Sequence, residues 1–195
     1  YHAPKTLRQA VRTLHSYEGD ARVLAGGMSL IPMMKLRLAN LGAVVDLGRI
    51  DGLAFVKPTE TDLAIGPMTT HYTLETSALV RERAPLLADA AAMVGDVQVR
   101  NAGTVGGSLA HADPAADYPA AVLASDGTVE VLGPNGTRSI AAAVTVMVPN
   151  SLGPAELMLK HQINGFIVEV LERFRRVPVG RFVYRMAIYS EVNAI

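Results

Sequence analysis

Leu7, Ala10, Val11 and Leu14 recur at the three-to-four spacing of a helix, and Thr6 stands immediately ahead of them. Thr6-Leu7-Arg8-Gln9 has the spacing of a capping box, so a helix is predicted from about Leu7 to Tyr17. Glu18-Gly19-Asp20 then turns the chain into Arg22-Val23-Leu24-Ala25, a short apolar run that reads as a buried strand ending at Gly26-Gly27. From Ser29 to Leu38 the positions of Leu30, Met33, Met34, Leu36 and Leu38 suit a helix opened by Ser29, with Pro32 tolerated in its first turn. Ala43-Val44-Val45-Asp46-Leu47 follows as another strand, so strand, glycine turn, helix and strand make one βαβ-like unit ending near Leu53.

The pattern changes beyond Ala54. Leu63 to Gly66 reads as a strand, Tyr72 to Ser77 as a short helix, and Leu86 to Val94 as an alanine-rich helix. Asn101 to Pro119 shows too little periodicity for a core element yet is too apolar for a linker, which predicts a long ordered loop of the kind that often carries function. Thr128 to Leu132 and Thr137 to Ile140 flank Gly133-Pro134-Asn135-Gly136, where Asn-Gly signals a hairpin and the start of an antiparallel meander. The reading is therefore an α+β chain with two subdomains, 1–53 and 54–195.

Composition narrows the function. The 195 residues can bury a core without covalent staples, and with half of them hydrophobic, 18% charged and formal charges that cancel, neither disorder nor a nucleic-acid-binding surface is expected. The chain has no cysteine, which excludes disulfides, thiolate nucleophiles and cysteine-ligated iron–sulfur clusters within it. No apolar run approaches the roughly 20 residues of a membrane span and no leader precedes Tyr1, so a soluble, cytoplasmic chain is expected. The start at Tyr1-His2-Ala3-Pro4, without an initiator methionine, reads as trimmed.

Two glycine-rich segments are candidates for chemistry. Ala25-Gly26-Gly27-Met28-Ser29 lies between a predicted strand and a predicted helix, where glycines permit positive φ and close approach of a ligand, and free N–H groups favour an anion. Taken alone, it reads better as a tight strand-to-helix turn packed against a neighbour. Asn101-Ala102-Gly103-Thr104-Val105-Gly106-Gly107-Ser108 interleaves three glycines with side chains able to bond an oxyanion, as in an anion nest; the alternative is an ordinary surface loop. Two such loops suit the two phosphates of a dinucleotide, yet neither matches the Rossmann G-x-G-x-x-G or the ending of a P-loop. His111 and Asp113 share the second segment but lack the three or four convergent ligands of a metal site, and His2, His15, His71 and His161 are scattered.

The runs VLAGGMSLIPMMKLRLA (Val23 to Ala39) and VQVRNAGTVGGSLAHADPAADYPAAVLA (Val97 to Ala124) resemble the FAD-binding subunits of molybdenum hydroxylases, the carbon monoxide dehydrogenase medium chain and xanthine dehydrogenase flavin domain type, over about residues 1 to 145. The resemblance implies the vanillyl-alcohol-oxidase-like (PCMH-type) FAD-binding fold. It implies that Ala25, Gly26, Gly27, Met28, Ser29, Leu30, Ile31 and Pro32 wrap the FAD pyrophosphate from one side, while Thr104, Val105, Gly106, Gly107 and Ser108 close from the other. It places Val94 against the flavin, a position that also suits the last apolar residue of a helix. It assigns Asp117 to the ribityl chain, where the residues alone suggest a helix cap. Leu152 to Leu157 resembles the family's Leu-x-Pro-x-Glu-Leu element and would bring Met158 near the isoalloxazine edge, and Tyr184 stands where the family carries a lysine. Against the resemblance, the family's usual C-terminal domain is expected to be missing from this sequence, which reads either as a fragment, as a short version of the subunit or as unreliable in its last stretch.

By the same resemblance, this is a FAD-dependent oxidoreductase subunit with no catalytic base of its own. It would pass electrons from iron–sulfur clusters in a small partner subunit, reduced by a molybdenum cofactor in a large one, to an external acceptor. Substrate and acceptor stay open. The alternatives are a stand-alone FAD-dependent reductase or oxidase, and a flavin-free scaffold subunit.

Overall fold

The structure is a computed structural model that describes residues 1–113 and 115–142 and the backbone of 182–185. Helix α1 spans Leu7–Ser16 and turns Ala10, Val11 and Leu14 inward. Its Thr6 cap accepts from the Gln9 N–H at 3.2 Å, while the Gln9 carboxamide reaches back past Thr6 to the Lys5 N–H at 3.0 Å, a shifted form of the capping box. Strands β1 (Ala21–Leu24) and β2 (Ala43–Asp46) pair in parallel, and helix α2 (Leu30–Lys35) makes the connection between them, so the βαβ-like unit forms as its pattern predicts. Helix α2 stops short of the expected Leu38, because the backbone turns left-handed at Arg37 (φ +57°). A hydrophobic cluster of Ala10, Leu14, Ala21, Ala43, Val45, Leu47 and Leu53 closes this unit.

A second cluster lies beyond it. Strands β3 (Val56–Pro58) and β4 (Leu63–Ile65) form an antiparallel pair, and helices α3 (His71–Thr76), α4 (Ala78–Arg83) and α5 (Pro85–Met93) follow. Pro85 opens α5 where its missing N–H costs nothing, and Leu87 and Ala91 are completely buried beneath it. The expected loop from Asn101 to Pro119 is instead mostly helical: α6 (Val97–Ala102), α7 (Val105–His111) and the start of α8 (Asp117–Ala124). Each helix is too short for a helical period to show in the sequence. Their caps are local, Asp96 accepting from the Val99 N–H and Thr104 from the Gly107 N–H.

Strands β5 (Thr128–Gly133) and β6 (Gly136–Ala141) make the hairpin, with Pro134-Asn135 as the two-residue turn and Gly136 at φ +112° as its exit. Among the described residues the expected meander goes no further than this hairpin. Strand β7 (Phe182–Arg185) lies between β4 and β5, parallel to both, giving the mixed order β3-β4-β7-β5-β6. The observed architecture is thus α+β with both parallel and antiparallel pairing. None of the helices among the described residues is long and apolar enough to cross a membrane.

Candidate functional site

The two glycine segments meet. A Cβ placed on Gly26 would lie 2.0 Å from the Ala102 carbonyl oxygen and 2.8 Å from the Gly103 Cα, so the backbones touch where only glycine fits. On the other side of the contact, a Cβ on Gly107 would lie 3.5 Å from the Ala25 Cβ and 2.9 Å from the Thr104 hydroxyl. The sequence places these residues far apart; the fold makes them one seam.

The two sides of the seam differ in what their amides do. In the first loop, Gly27 takes φ +76° and sends the chain into α2. Its carbonyl accepts from Ile31, but among the described residues no acceptor serves the amides of Gly27, Met28, Ser29 and Leu30. Ser29 stands at the N-cap position without a side-chain cap bond, and both Met28 and Ser29 are exposed. Helix α2 has only six residues and buries none of them, so the aligned dipole of a long helix contributes little here. What this loop offers an anion is therefore its open amides rather than a helix dipole.

In the second loop, nearly every amide is already used. The Val105 N–H donates to Thr69 O, and Gly106 to Pro67 O, both at 3.0 Å. The Gly107 N–H donates to the Thr104 hydroxyl at 3.1 Å, and Ser108 to Thr104 O at 3.0 Å. The exception is Thr104, which forms an antiparallel bridge with Thr70; bonds on either side of the bridge leave its own N–H directed away from that strap. Gly103, Thr104, Val105 and Gly106 are buried, while Gly107 and Ser108 are half-buried at the rim. Sequence reasoning gave both loops the same role as amide nests; the structure assigns donor capacity mainly to the first and shape to the second.

Val94 ends α5 and packs partly against the large core, the local role its pattern suggests. The Arg100 guanidinium holds the turn beyond it, donating to Val94 O at 3.2 Å and Gly95 O at 3.4 Å while paired with Glu75 at 3.0 Å. Asp117 is the first residue of α8, with Ala116 rather than Asp117 at the cap position. Burial raises the Asp117 carboxyl above its ordinary value, against a smaller lowering by its own backbone N–H. Asp113 closes a local turn by accepting from the Ala115 N–H at 2.9 Å. Pro32 and Ile31 lie on α2, Ile31 against Gly27. Met158 falls outside the described residues, as does the side chain of Tyr184, whose backbone belongs to β7.

One group of functional interest had no signal in the sequence. His71, only 4% exposed, donates its backbone N–H to Gly103 O at 3.1 Å, and its Nδ1 lies 2.9 Å from the hydroxyl of the fully buried Tyr118. Burial lowers its pKa from the ordinary 6.5 to about 4, so the ring is neutral at neutral pH. A scattered histidine in sequence is here the neighbour of the glycine loop.

With this geometry in view, similarity to known proteins becomes informative. The family described as FAD binding domain in molybdopterin dehydrogenase matches residues 1–161. The chain belongs to that family. It is 44% identical over 142 residues to the carbon monoxide dehydrogenase medium chain of Hydrogenophaga pseudoflava, a match covering 73% of this chain and 50% of that one. It is 40% identical over 142 residues to the nicotine 6-hydroxylase medium subunit of Paenarthrobacter nicotinovorans, again covering 73% and 50%. Among solved structures, carbon monoxide dehydrogenase from Hydrogenophaga pseudoflava superposes with a TM-score of 0.72 at 45% identity, covering 73% of this chain and 50% of that one. Quinoline 2-oxidoreductase from Pseudomonas putida 86 does so with a TM-score of 0.68 at 37% identity, covering the same 73% and 50%. The chain therefore spans about half the length of these FAD-domain relatives.

Proposed function

We propose that this chain binds the diphosphate of FAD in the seam between Gly26–Leu30 and Thr104–Ser108 and serves as the flavin-bearing, electron-relaying part of a molybdenum hydroxylase. The observation that carries the reading is the contact of Gly26 with Ala102 and Gly103 beside a run of open amides. Unused amide donors beside a bare main-chain contact suit a doubly charged, extended ligand. Bound there, FAD would supply the exchange between single-electron carriers and a two-electron acceptor.

The chain's own residues bind and orient. The amides of Gly27, Met28, Ser29 and Leu30, with the hydroxyl of Ser29, would take the diphosphate from one side. Thr104, Gly107 and Ser108 would face it from the other, Val105 and Gly106 shaping that loop from behind. A half-buried carboxylate at Asp117 would accept from ribityl hydroxyls, and Val94, Met158 and Tyr184 would stand toward the flavin ring. We assign residues 1–53 and 54–195 to two subdomains of the vanillyl-alcohol-oxidase-like fold, with the seam between them; the two separate hydrophobic clusters support that division.

By the family likeness, iron–sulfur clusters would belong to a small partner subunit and the molybdenum cofactor to a large one, in a cytoplasmic complex, a division that the absence of cysteine here fits. The test is titration of the chain with FAD. Saturating binding with a rise in melting temperature is expected, and a chain that neither retains flavin nor gains stability from it would sink the reading.

A further inference from the structure

We propose that His71 is a positioning residue that fixes the second glycine loop against the Asp117 end of α8, and thereby sets the affinity of the seam for FAD. This rests on the flavin reading above. His71 opens α3, an element with no glycine loop of its own, yet its contacts reach both neighbours. The backbone N–H holds Gly103 O at 3.1 Å. The ring edge lies under the same glycine, where a Cβ would be 2.6 Å from Nε2. The opposite ring nitrogen, Nδ1, meets the Tyr118 hydroxyl at 2.9 Å, and Tyr118 adjoins Asp117. The imidazole is thus a spacer between the two elements proposed to face the diphosphate and the ribityl chain.

A buried histidine can simply fill a core. Several features argue for more. Gly103 gives up its side chain to admit the ring, and the adjoining Thr70–Thr104 bridge binds the same strap to the same loop. Among the described residues Nε2 has no hydrogen-bond partner, an arrangement that an apolar side chain would fill at lower desolvation cost if filling were its whole purpose. The neutral ring acts through its shape and one directional bond. Tyr118, with its hydroxyl buried, is the other half of the strut.

The experiment is FAD titration of the whole chain and of Tyr118→Phe, His71→Leu and His71→Asn, with melting curves with and without FAD and the flavin circular dichroism of each complex. Asparagine can place a polar atom near the position of Nδ1. Tyr118→Phe and His71→Leu are expected to weaken FAD binding at least about tenfold, shrink the FAD-dependent rise in melting temperature and change the flavin signal, with His71→Asn recovering most of the loss. Variants that melt lower but keep the wild-type affinity and the full FAD-dependent rise would overturn the proposal and leave His71 a core residue. Should His71→Leu fail to fold, Tyr118→Phe decides, since it removes a single oxygen. Wild-type chain that binds no FAD would overturn the flavin reading and this inference with it, whereas binding by wild type and variants alike overturns this inference alone.

Discussion

Two glycine loops of similar composition face one another across the seam, and they have been folded for opposite purposes. The loop at Gly26 and Gly27 leaves a run of amides open beside a helix too short to bury anything. The loop at Gly103 to Ser108 gives its amides to Pro67, Thr69 and Thr104 and is held from behind by His71. Glycine content reports that a backbone must come close to something. It does not report whether the N–H groups are left for a ligand, because that depends on which strand happens to lie alongside.

The contrast can be broken or sharpened by experiment. The largest effect is expected from Gly26→Val, because its Cβ would meet backbone carbonyl and Cα atoms that cannot swing aside. We expect a loss of about 3 kcal/mol or more in urea unfolding, together with loss of flavin absorbance from the purified chain. Gly107→Val should do less, since there the obstacle is a hydroxyl at 2.9 Å. Equal losses for the two would mean that the seam is not where the loops touch.

Acid should act next, and on the second loop. His71 titrates at about 4 when folded and at its ordinary 6.5 when unfolded. Below 6.5 the unfolded chain takes up a proton that the folded chain refuses, so stability falls as pH drops from about 6.5 to about 4, by on the order of 2–3 kcal/mol. Asp117 works the other way: its raised carboxyl binds a proton more readily folded than unfolded, which favours the fold as pH descends toward the carboxylate range. Urea midpoints compared between pH 7 and pH 4.5 should therefore fall less steeply in His71→Leu than in the parent chain. An unchanged slope would remove His71 from the account.

The smaller effects separate a used cap from an unused one. Thr104→Val deprives the Gly107 N–H of its acceptor and is expected to cost about 1 kcal/mol, with Thr104→Ser close to neutral. Ser29→Ala removes a hydroxyl that bonds nothing among the described residues, so the free chain should change by no more than about 0.5 kcal/mol while FAD affinity drops. Should Ser29→Ala destabilise the ligand-free chain as much as Thr104→Val does, the first loop is not open in the way described.

Much of this was legible in the residues. The parallel β1–β2 unit was predictable because one short apolar run, one glycine turn and one apolar helix leave few ways to fold. Both loops were identified from glycine spacing, and the family from the two long runs around them. The helices α6 and α7 were missed because a six- or seven-residue helix that buries none of its residues, as α6 does, or three, as α7 does, has no period to detect, although Asp96 and Thr104 were standing as caps. Strand β3 and helix α4 were missed for a similar reason of length. The importance of Gly26 over Gly107 and the role of His71 were invisible for a different reason. Both depend on contacts between residues distant in the chain, Gly26 with Ala102 and His71 with Tyr118, and no local pattern encodes which partner will arrive.

At the seam Gly26 meets Ala102 and Gly103 through bare main chain instead of interlocked side chains. A main-chain contact buries little apolar surface, so it resists compression but supplies little adhesion. A molecule gripped from both banks would act as a rivet, coupling the two loops across the seam. Amide hydrogen exchange would then slow on both sides together when the rivet is in place, far from any atom it touches.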